Sequence, residues 1–171
     1  GRFMRVYLPA TLSSLAALRA TESIGPAPIT AFAVTPGLRE WYVDDEDLEE
    51  LEYAAFAEAA RASLRLIGAD PGAAPRRTVV SADLPDAQVE VRDDLDRGVV
   101  RIGSAVPLSA VAAIHVDDAD AVDAVAAAAA AIDRADLGDD AAQEAVDDAE
   151  GFELSWYAPQ ELGDLVDGAH Y

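Results

Sequence analysis

The sequence predicts a single α+β domain: a mixed β-sheet of about five or six strands with helices packed mainly on one face. Three observations support this expectation. The chain has 171 residues, a length that suits one domain. Short runs rich in strand-forming residues are interspersed with longer helical patterns, and the two kinds of element neither segregate nor alternate strictly along the chain.

We expect this domain to span residues 4–162. The only methionine, Met4, begins the first strand-like run, so residues 1–3 are interpreted as a cloning remnant. Residues 163–171 offer little apolar surface to bury and are expected to form a frayed tail.

The first elements follow from composition and capping. Met4–Leu8 (MRVYL) predicts a strand. Thr11 is placed to cap a helix, in which the leucines at 12, 15 and 18 form a one-sided stripe. A segment rich in glycine and proline ends that helix, and Ile29–Val34 predicts a second strand.

A corner between a strand and a short helix is expected at residues 35–42 (TPGLREWY). The Thr-Pro start combines a capping residue with the residue favoured at the first helical position. Helical spacing puts Arg39 and Tyr42 on one face and Leu38 and Trp41 on the next. We expect Leu38 and Trp41 to point inward and the other two to lie at the rim.

The longest predicted helix runs from about Glu46 to Ile67. The acidic run at residues 44–47 suits a helix start, because carboxylates complement the helix dipole. Its expected inward stripe steps by three and four residues through Leu48, Leu51, Ala55, Ala59, Ala62 and Leu66.

The second half predicts mostly strands and two further helices. The strands are expected at Arg77–Ala82, Gln88–Val91, Val99–Gly103, Ala112–Val116 and Phe152–Tyr157, with the second and third joined as a hairpin. The helices are expected at Ala121–Ala135 and Asp139–Glu150, with a helical turn at Pro107–Val111.

Composition excludes several classes of function. Acidic residues number 33 and basic residues 12, and the formal charge of −21 disfavours nucleic-acid binding. All twelve basic residues are arginines, so a phosphate-binding loop with its lysine and lysine Schiff-base chemistry are both excluded. The chain has no cysteine and only two histidines, His115 and His170. We therefore expect neither a cofactor nor a metal site.

The same features suggest where the protein acts and with what. No apolar stretch approaches the ~20 residues that a membrane span requires, and the start does not resemble a signal peptide. We expect a cytoplasmic protein that binds neither membrane nor nucleic acid. A homodimer or a basic protein partner is compatible with the acidic surface.

His115 is the one candidate general base. Residues two apart on a strand share a face, so His115 and Asp117 are expected on one side near a strand end. A carboxylate beside an imidazole orients it and raises its basicity. The alternative is a structural histidine at the end of a sheet, and no nucleophile is visible beside it in the sequence.

Charged clusters provide weaker candidates. The acids at 117, 118, 120 and 123 resemble part of a calcium loop but lack its glycine and its distal glutamate, so they are interpreted as helix-start acids. A basic patch for an anion is conceivable from Arg76, Arg77, Arg92, Arg97 and Arg101. The alternative is pairing of these arginines with nearby aspartates.

Aromatic side chains mark the candidate binding surface. An amphipathic recess is expected where the 35–42 corner, the long helix and the last strand converge. Its candidate residues are Arg39, Trp41, Tyr42, Glu52, Tyr53, Trp156 and Tyr157, with Arg77 as a further ligand contact. The alternative is core packing, in which the tyrosine hydroxyls and Arg39 form a buried polar network.

Seven segments together resemble a family of small uncharacterised actinobacterial proteins, a domain of unknown function. They are MRVYLPAT at 4–11, AFAVTPGLREWY at 31–42, ELEYAAF at 50–56, AARASLRL at 59–66, SADLPDAQV at 81–89, AIHVDD at 113–118 and SWYAPQEL at 155–162. The resemblance implies a single-domain bacterial cytoplasmic protein and assigns no activity to any residue.

Two hypotheses follow. The first is a non-catalytic binding or protein-interaction module that uses the aromatic recess. The second is a small enzyme acting on an anionic metabolite, with His115 as base, Asp117 as its orienting carboxylate and Arg39 or Arg77 as the anion clamp.

Overall fold

The structure is a computed structural model that describes residues 2–42 and 47–168. Its strands are β1 (Phe3–Ala10), β2 (Ser23–Ile24), β3 (Ile29–Phe32), β4 (Thr78–Pro85), β5 (Val89–Val91), β6 (Val99–Ile102), β7 (Val106–Pro107), β8 (Val111–Asp117) and β9 (Leu154–Tyr157). Its helices are α1 (Leu12–Thr21), α2 (Pro36–Trp41), α3 (Leu48–Ala69), α4 (Val122–Asp136), α5 (Asp140–Glu150) and α6 (Leu162–Asp167). The helix-start acids predicted at 44–46, and His170, lie outside the described residues.

The predicted α+β class is confirmed. Seven strands form one sheet in the order β5-β6-β3-β1-β4-β8-β9, and β2 pairs with β7 in a separate ribbon. The sheet is wider than the five or six strands expected, and every described pairing is antiparallel. The hairpin expected between β5 and β6 is present, with Glu90 opposite Arg101. The order of the other strands depends on long connections, which local patterns do not encode.

One face of the sheet carries the main hydrophobic core. Alternate residues of the central strands point into it, among them Val6 and Leu8 of β1 and Val80 of β4. Helix α1 covers this face with Leu15 and Leu18, both fully buried. Thr11 caps α1 as predicted, since its hydroxyl accepts from the backbone N–H of Ser14.

Helix α6 also covers this face. Leu162 is buried, and Leu165 and Val166 pack against the core. Arg19 of α1 pairs with Asp167 of α6. The expectation of a frayed segment from residue 163 therefore does not hold for 163–167, because apolar side chains every three or four residues give this short helix an inward face.

The opposite face of the sheet packs against α3. Leu51, Ala55 and Ala59 are buried there, as predicted. The predicted stripe is wrong at both ends, since Leu48 and Leu66 are exposed. The second half of α3 turns a different side inward, with Leu64 and Ile67 buried against α4. The first half of α3 packs on the sheet and its last turns pack on α4, so the two parts of the helix bury different sides.

Helices α4 and α5 form an alanine-rich layer on α3. Gly68 lies so close to α4 that a Cβ placed there would be 2.6 Å from the carbonyl oxygen of Ala129. Small side chains such as Ala128 and Ala142 are buried in this layer. Among the described residues, no helix combines the length and the apolarity needed to cross a membrane.

Candidate functional site

A pocket with a volume of about 600 Å³ opens between α3 and the face of the sheet opposite the main core. Helix α3 forms one wall, and strands β1, β4, β8 and β9 form the other; the end of α5 and the segment before β9 close one side. The lining residues are Arg5, Tyr7, Glu49, Glu52, Tyr53, Phe56, Ala57, Ala60, Arg61, Leu64, Arg77, Ser81, Ala113, His115, Glu150, Phe152, Glu153, Leu154 and Trp156.

Phe56 of α3 is at the centre of the aromatic side of the pocket. Its ring meets His115 edge-on, with 4.8 Å between the centroids, and meets Tyr7 edge-on at 6.1 Å. Tyr53, one helical turn earlier, stacks on it with a centroid distance of 6.3 Å. Edge-to-face contacts of this kind fix ring orientation. The helix wall and the sheet wall are thus joined by one aromatic cluster.

Tyr7 and Glu52 form a polar contact across the pocket. The Tyr7 hydroxyl donates to a carboxylate oxygen of Glu52 at 3.4 Å. Burial of the phenol, together with the neighbouring negative charge of Glu52, raises the pKa of Tyr7 to about 12. Tyr7 therefore stays protonated at neutral pH and serves as a hydrogen-bond donor.

His115 lies at the pocket floor with a serine beside it. Its Nε2 is 3.1 Å from the hydroxyl oxygen of Ser81 on the adjacent strand β4. Burial, and to a lesser degree the positive charge of Arg5, lower the pKa of His115 to about 4. The imidazole is therefore neutral at physiological pH.

Asp117 is bound by Arg77 and not by His115. The guanidinium of Arg77 donates to both carboxylate oxygens at 2.8 Å, and its backbone N–H donates to one of them, also at 2.8 Å. Arg77 also donates to the carbonyl oxygen of Phe152 at 2.9 Å. Both side chains are almost fully buried. This pair ties the ends of β4 and β8 to the segment that leads into β9.

The structure brings part of the predicted site together. Glu52, Tyr53, Arg77 and Trp156 line the pocket, and so does His115. The first two come from the predicted long helix, and Trp156 comes from the predicted last strand. The recess at this point is an open pocket with exposed aromatic rings, since Tyr53 and Trp156 each keep more than half of their surface accessible.

The remaining predicted residues lie elsewhere. Arg39, Trp41 and Tyr42 belong to α2 or its end and do not line the pocket. Tyr157 follows Trp156 on β9 and points to the opposite face, where it packs against the main core.

The expectation that Trp41 points inward is wrong. Its ring is 61% exposed, and the guanidinium of Arg97 lies 3.5 Å from the ring centroid. Leu38 is buried as expected. A six-residue helix presents only one side to the core, and the stacked arginine gives the tryptophan a contact at the surface.

The corner at 35–42 is a structural junction. Thr35 caps α2 by accepting from the Leu38 N–H, and its hydroxyl donates to Asp93 at 2.6 Å. Asp93 also accepts from the backbone N–H of Gly37 at 2.9 Å and of Gly98 at 3.0 Å. Burial alone would raise the pKa of Asp93, but these hydrogen bonds lower it below its ordinary value. The junction fastens α2 to the β5–β6 turn.

Several members of the other charged clusters have partners within the protein. Arg92 pairs with Asp94 at 2.9 Å, and Arg76 donates to the Asp117 carbonyl oxygen at 2.8 Å. Asp118 accepts from the Ser155 hydroxyl at 2.7 and 2.8 Å. Within 2–42 and 47–168, no group of three or more acidic or histidine side chains is arranged to hold a metal ion.

Sequence reasoning missed Tyr7, Phe56 and Ser81. Tyr7 and Ser81 lie opposite each other in the register of β1 and β4, and the paired strand β8 carries His115 on the same face. A signal for Phe56 existed, because it lies three residues after Tyr53 on the same helix and hence on the same side. The strand residues gave no such signal, since their proximity depends on which strands are neighbours.

Comparison with known proteins gives a family and no activity. No curated protein and no solved structure matches the chain. A family model matches residues 4–166, which is nearly the whole chain and includes every residue that lines the pocket. The chain therefore belongs to a family of unknown function, DUF6912.

Proposed function

We propose that this protein is a non-catalytic binding module that holds a small amphipathic ligand in the pocket between α3 and the sheet. The observation that carries the proposal is an open, aromatic-lined pocket of about 600 Å³. Pockets of 300–1,000 Å³ with apolar walls and a few polar groups are typical of small-molecule sites. A cytoplasmic location is part of the proposal and accords with a chain that lacks cysteine.

The polar groups of the pocket suit binding better than catalysis. A neutral imidazole whose pKa is about 4 is a weak base at pH 7. Ser81, the hydroxyl beside it, is only 1% exposed. Asp117 has both oxygens occupied by Arg77 and so does not orient the imidazole. These observations favour the binding module over an enzyme that uses His115 as its base.

The arginines also argue against the enzyme on an anionic metabolite. Arg39 is not part of the pocket, and Arg77 is committed to Asp117 and to the Phe152 carbonyl. An anion clamp needs guanidinium donors that are free to contact the ligand. The alternative enzyme would therefore have a weakly basic imidazole. Neither of its candidate anion clamps, Arg39 and Arg77, is free to contact a ligand in the pocket.

A variant that fills the pocket tests the proposal. Ala57 is an exposed residue of α3 that lines the pocket, so Ala57→Trp places an indole in the pocket without disturbing the core. Ala127, an equally exposed alanine of α4, lies outside the pocket, and Ala127→Trp is the matched control. Binding is measured by ¹⁵N chemical-shift changes with a set of small aromatic fragments.

We expect fragments to bind the wild-type protein and the Ala127→Trp variant, with shift changes concentrated on pocket residues, and to lose binding in Ala57→Trp. Circular dichroism establishes that both variants are folded. Fragments that bind Ala57→Trp as tightly as wild type, or a set in which no fragment binds wild type at millimolar concentration, would contradict the proposal.

A further inference from the structure

We infer that the ligand of this pocket is a small organic cation, with an ammonium, quaternary ammonium or guanidinium group on an apolar body. The inference rests on the proposed binding function and adds the chemical class of the ligand. It is argued from the charges at the pocket, from the exposed aromatic faces and from the field of the whole chain.

The positive charges at the pocket are already engaged by carboxylates. Arg5 pairs with Asp83 at 2.6 Å, and Arg77 pairs with Asp117 at 2.8 Å. Arg61 pairs with Asp136 at 3.1 Å and donates to Gln143 at 3.1 Å. None of those three aspartates lines the pocket. Arg5 and Arg77 thus each have an aspartate of their own, whereas Arg61 shares Asp136 with Arg65.

The negative charges at the pocket are largely uncompensated. Glu49 and Glu153 have no ion pair within 4 Å among the described residues. Glu52 accepts only from the neutral Tyr7 hydroxyl, and Glu150 has Arg61 at the long distance of 3.8 Å. Arg5 and Arg77 are each balanced by an aspartate and Arg61 shares one with Arg65, so the four pocket carboxylates exceed the positive charge that is left to balance them.

Exposed aromatic faces at the pocket also favour a cationic ligand. Tyr53 is 63% exposed on the helix wall, and Trp156 is 62% exposed on the sheet wall. The face of an aromatic ring carries negative electrostatic potential and attracts ammonium and guanidinium groups. An organic cation gains from both kinds of group, because its charge meets carboxylates while its apolar body covers the rings.

The negative charge of the whole protein also favours a cationic ligand. With a formal charge of −21, the chain repels anions and concentrates cations near its surface. An anionic ligand would have to overcome this field and the four glutamates, and each guanidinium among the described lining residues already contacts a carboxylate.

Three probes with one phenylethyl body and different charge test the inference: phenethylammonium, 2-phenylethanol and 3-phenylpropionate. Trp41→Phe is used as the host, because it leaves Trp156 as the only tryptophan and makes its fluorescence a reporter of the pocket. We expect the cation to bind about tenfold more tightly than the alcohol, and the anion to bind most weakly. The cation's advantage should shrink as salt is added.

Variants that replace glutamates with neutral glutamines test whether the pocket carboxylates cause the preference for the cation. In the host, Glu49→Gln, Glu52→Gln and Glu153→Gln together remove three pocket carboxylates. The matched control is Glu22→Gln, Glu40→Gln and Glu144→Gln, three exposed glutamates outside the pocket. We expect the pocket triple to weaken binding of the cation by about tenfold and to leave the alcohol unchanged, and the control triple to change either by less than about twofold.

The outcomes separate the two proposals. If the alcohol or the anion binds as tightly as the cation, or if the control triple weakens the cation as much as the pocket triple, the inference is wrong and the binding function stands. If none of the three probes binds at millimolar concentration while fragments bind the wild-type pocket, the cation class is likewise wrong. If neither probes nor fragments bind, both proposals fall.

Discussion

At His115, burial of a ring that Phe56 meets edge-on lowers the pKa, and so removes the charge that an exposed imidazole would partly carry near neutral pH. The environment therefore changes the chemistry of the one histidine that the sequence singled out. A histidine two residues before an aspartate on a strand suggests a catalytic pair, but the strand pairing gives the imidazole a serine and gives the carboxylate an arginine. The residue type suggests a role for a side chain, and its neighbours in the fold determine its protonation state and its partners.

The stability of the fold should depend on pH through His115. Its pKa is about 4 in the folded protein and 6.5 in the unfolded reference, so the unfolded chain binds the proton first as pH falls. Stability that is present at pH 7 is therefore lost between pH 6.5 and 4. After a discount for the partly exposed ring, we expect wild type to lose about 1–2 kcal/mol more than His115→Gln between pH 7 and pH 5.

Urea unfolding followed by circular dichroism at several pH values measures this difference. The Gln variant is the control, because it keeps a polar side chain near Ser81 and does not titrate. Parallel curves for the two proteins between pH 7 and pH 5 would contradict the assignment of a buried, neutral imidazole.

Arg77 should be a structural residue and not a ligand contact. Arg77→Met leaves the buried Asp117 carboxylate without a counter-charge, although the backbone N–H of residue 77 still donates to it, and this costs about 3–5 kcal/mol. Arg77→Met combined with Asp117→Leu removes both charges and should recover most of that loss. Thermal unfolding of the two variants measures the effect. A stable Arg77→Met protein that loses only ligand binding would instead favour a role in the pocket.

Helix α3 organises the molecule because it contacts three different surroundings. Its first half packs on the sheet, its exposed side lines the pocket with Tyr53 and Phe56, and its last turns pack on α4. Ser63 joins it to the strands, since its hydroxyl donates to the Ala10 carbonyl at 2.7 Å and accepts from the Thr78 N–H at 3.1 Å. The end of the pocket wall near Ser63 is therefore tied to β1 and β4.

The approach of α3 to α4 depends on Gly68. In an open helix, alanine would be favoured over glycine by about 1 kcal/mol. Here an added Cβ would meet the Ala129 carbonyl oxygen at 2.6 Å, and a backbone carbonyl cannot move without shifting α4. We expect Gly68→Ala to destabilise the protein by about 1–3 kcal/mol.

Gly103→Ala is the matched control, because nothing lies within 4 Å of a Cβ at that position. Its stability should remain within about 0.5 kcal/mol of wild type. Chemical unfolding of the two variants compares them. An unchanged or higher stability of Gly68→Ala would mean that the two helices are farther apart than the structure places them.

In the whole molecule, helices cover both faces of an antiparallel sheet, and the pocket lies on the face shared with α3. The protein as a whole has a formal charge of −21, and the arginines that line the pocket are paired with aspartates, although Arg61 shares Asp136 with Arg65. An acidic protein can thus keep a negative pocket with arginines in its wall, because these guanidinium groups are already engaged by carboxylates.

Local patterns in the chain were enough to predict most of the helices and strands and the α+β class. The cap at Thr11, the Thr-Pro start of α2 and the hairpin before β6 are encoded by neighbouring residues, so they are readable without the fold. The candidates Tyr53 and Trp156 were proposed because aromatic residues stand out in a chain poor in aromatics, and Glu52 because it precedes Tyr53 on the predicted long helix.

The remaining contacts of the candidate site depend on which strands are neighbours in the sheet. Tyr7, Ser81 and His115 meet because β1, β4 and β8 are adjacent, although up to 108 residues separate them, from 7 to 115, along the chain. The sequence allowed Arg77 to pair with a nearby aspartate, but that this aspartate is Asp117 depends on the same adjacency of β4 and β8. Contacts across a sheet depend on which strands lie side by side, and that is settled by the packing of the whole chain and not by the pattern within any one segment.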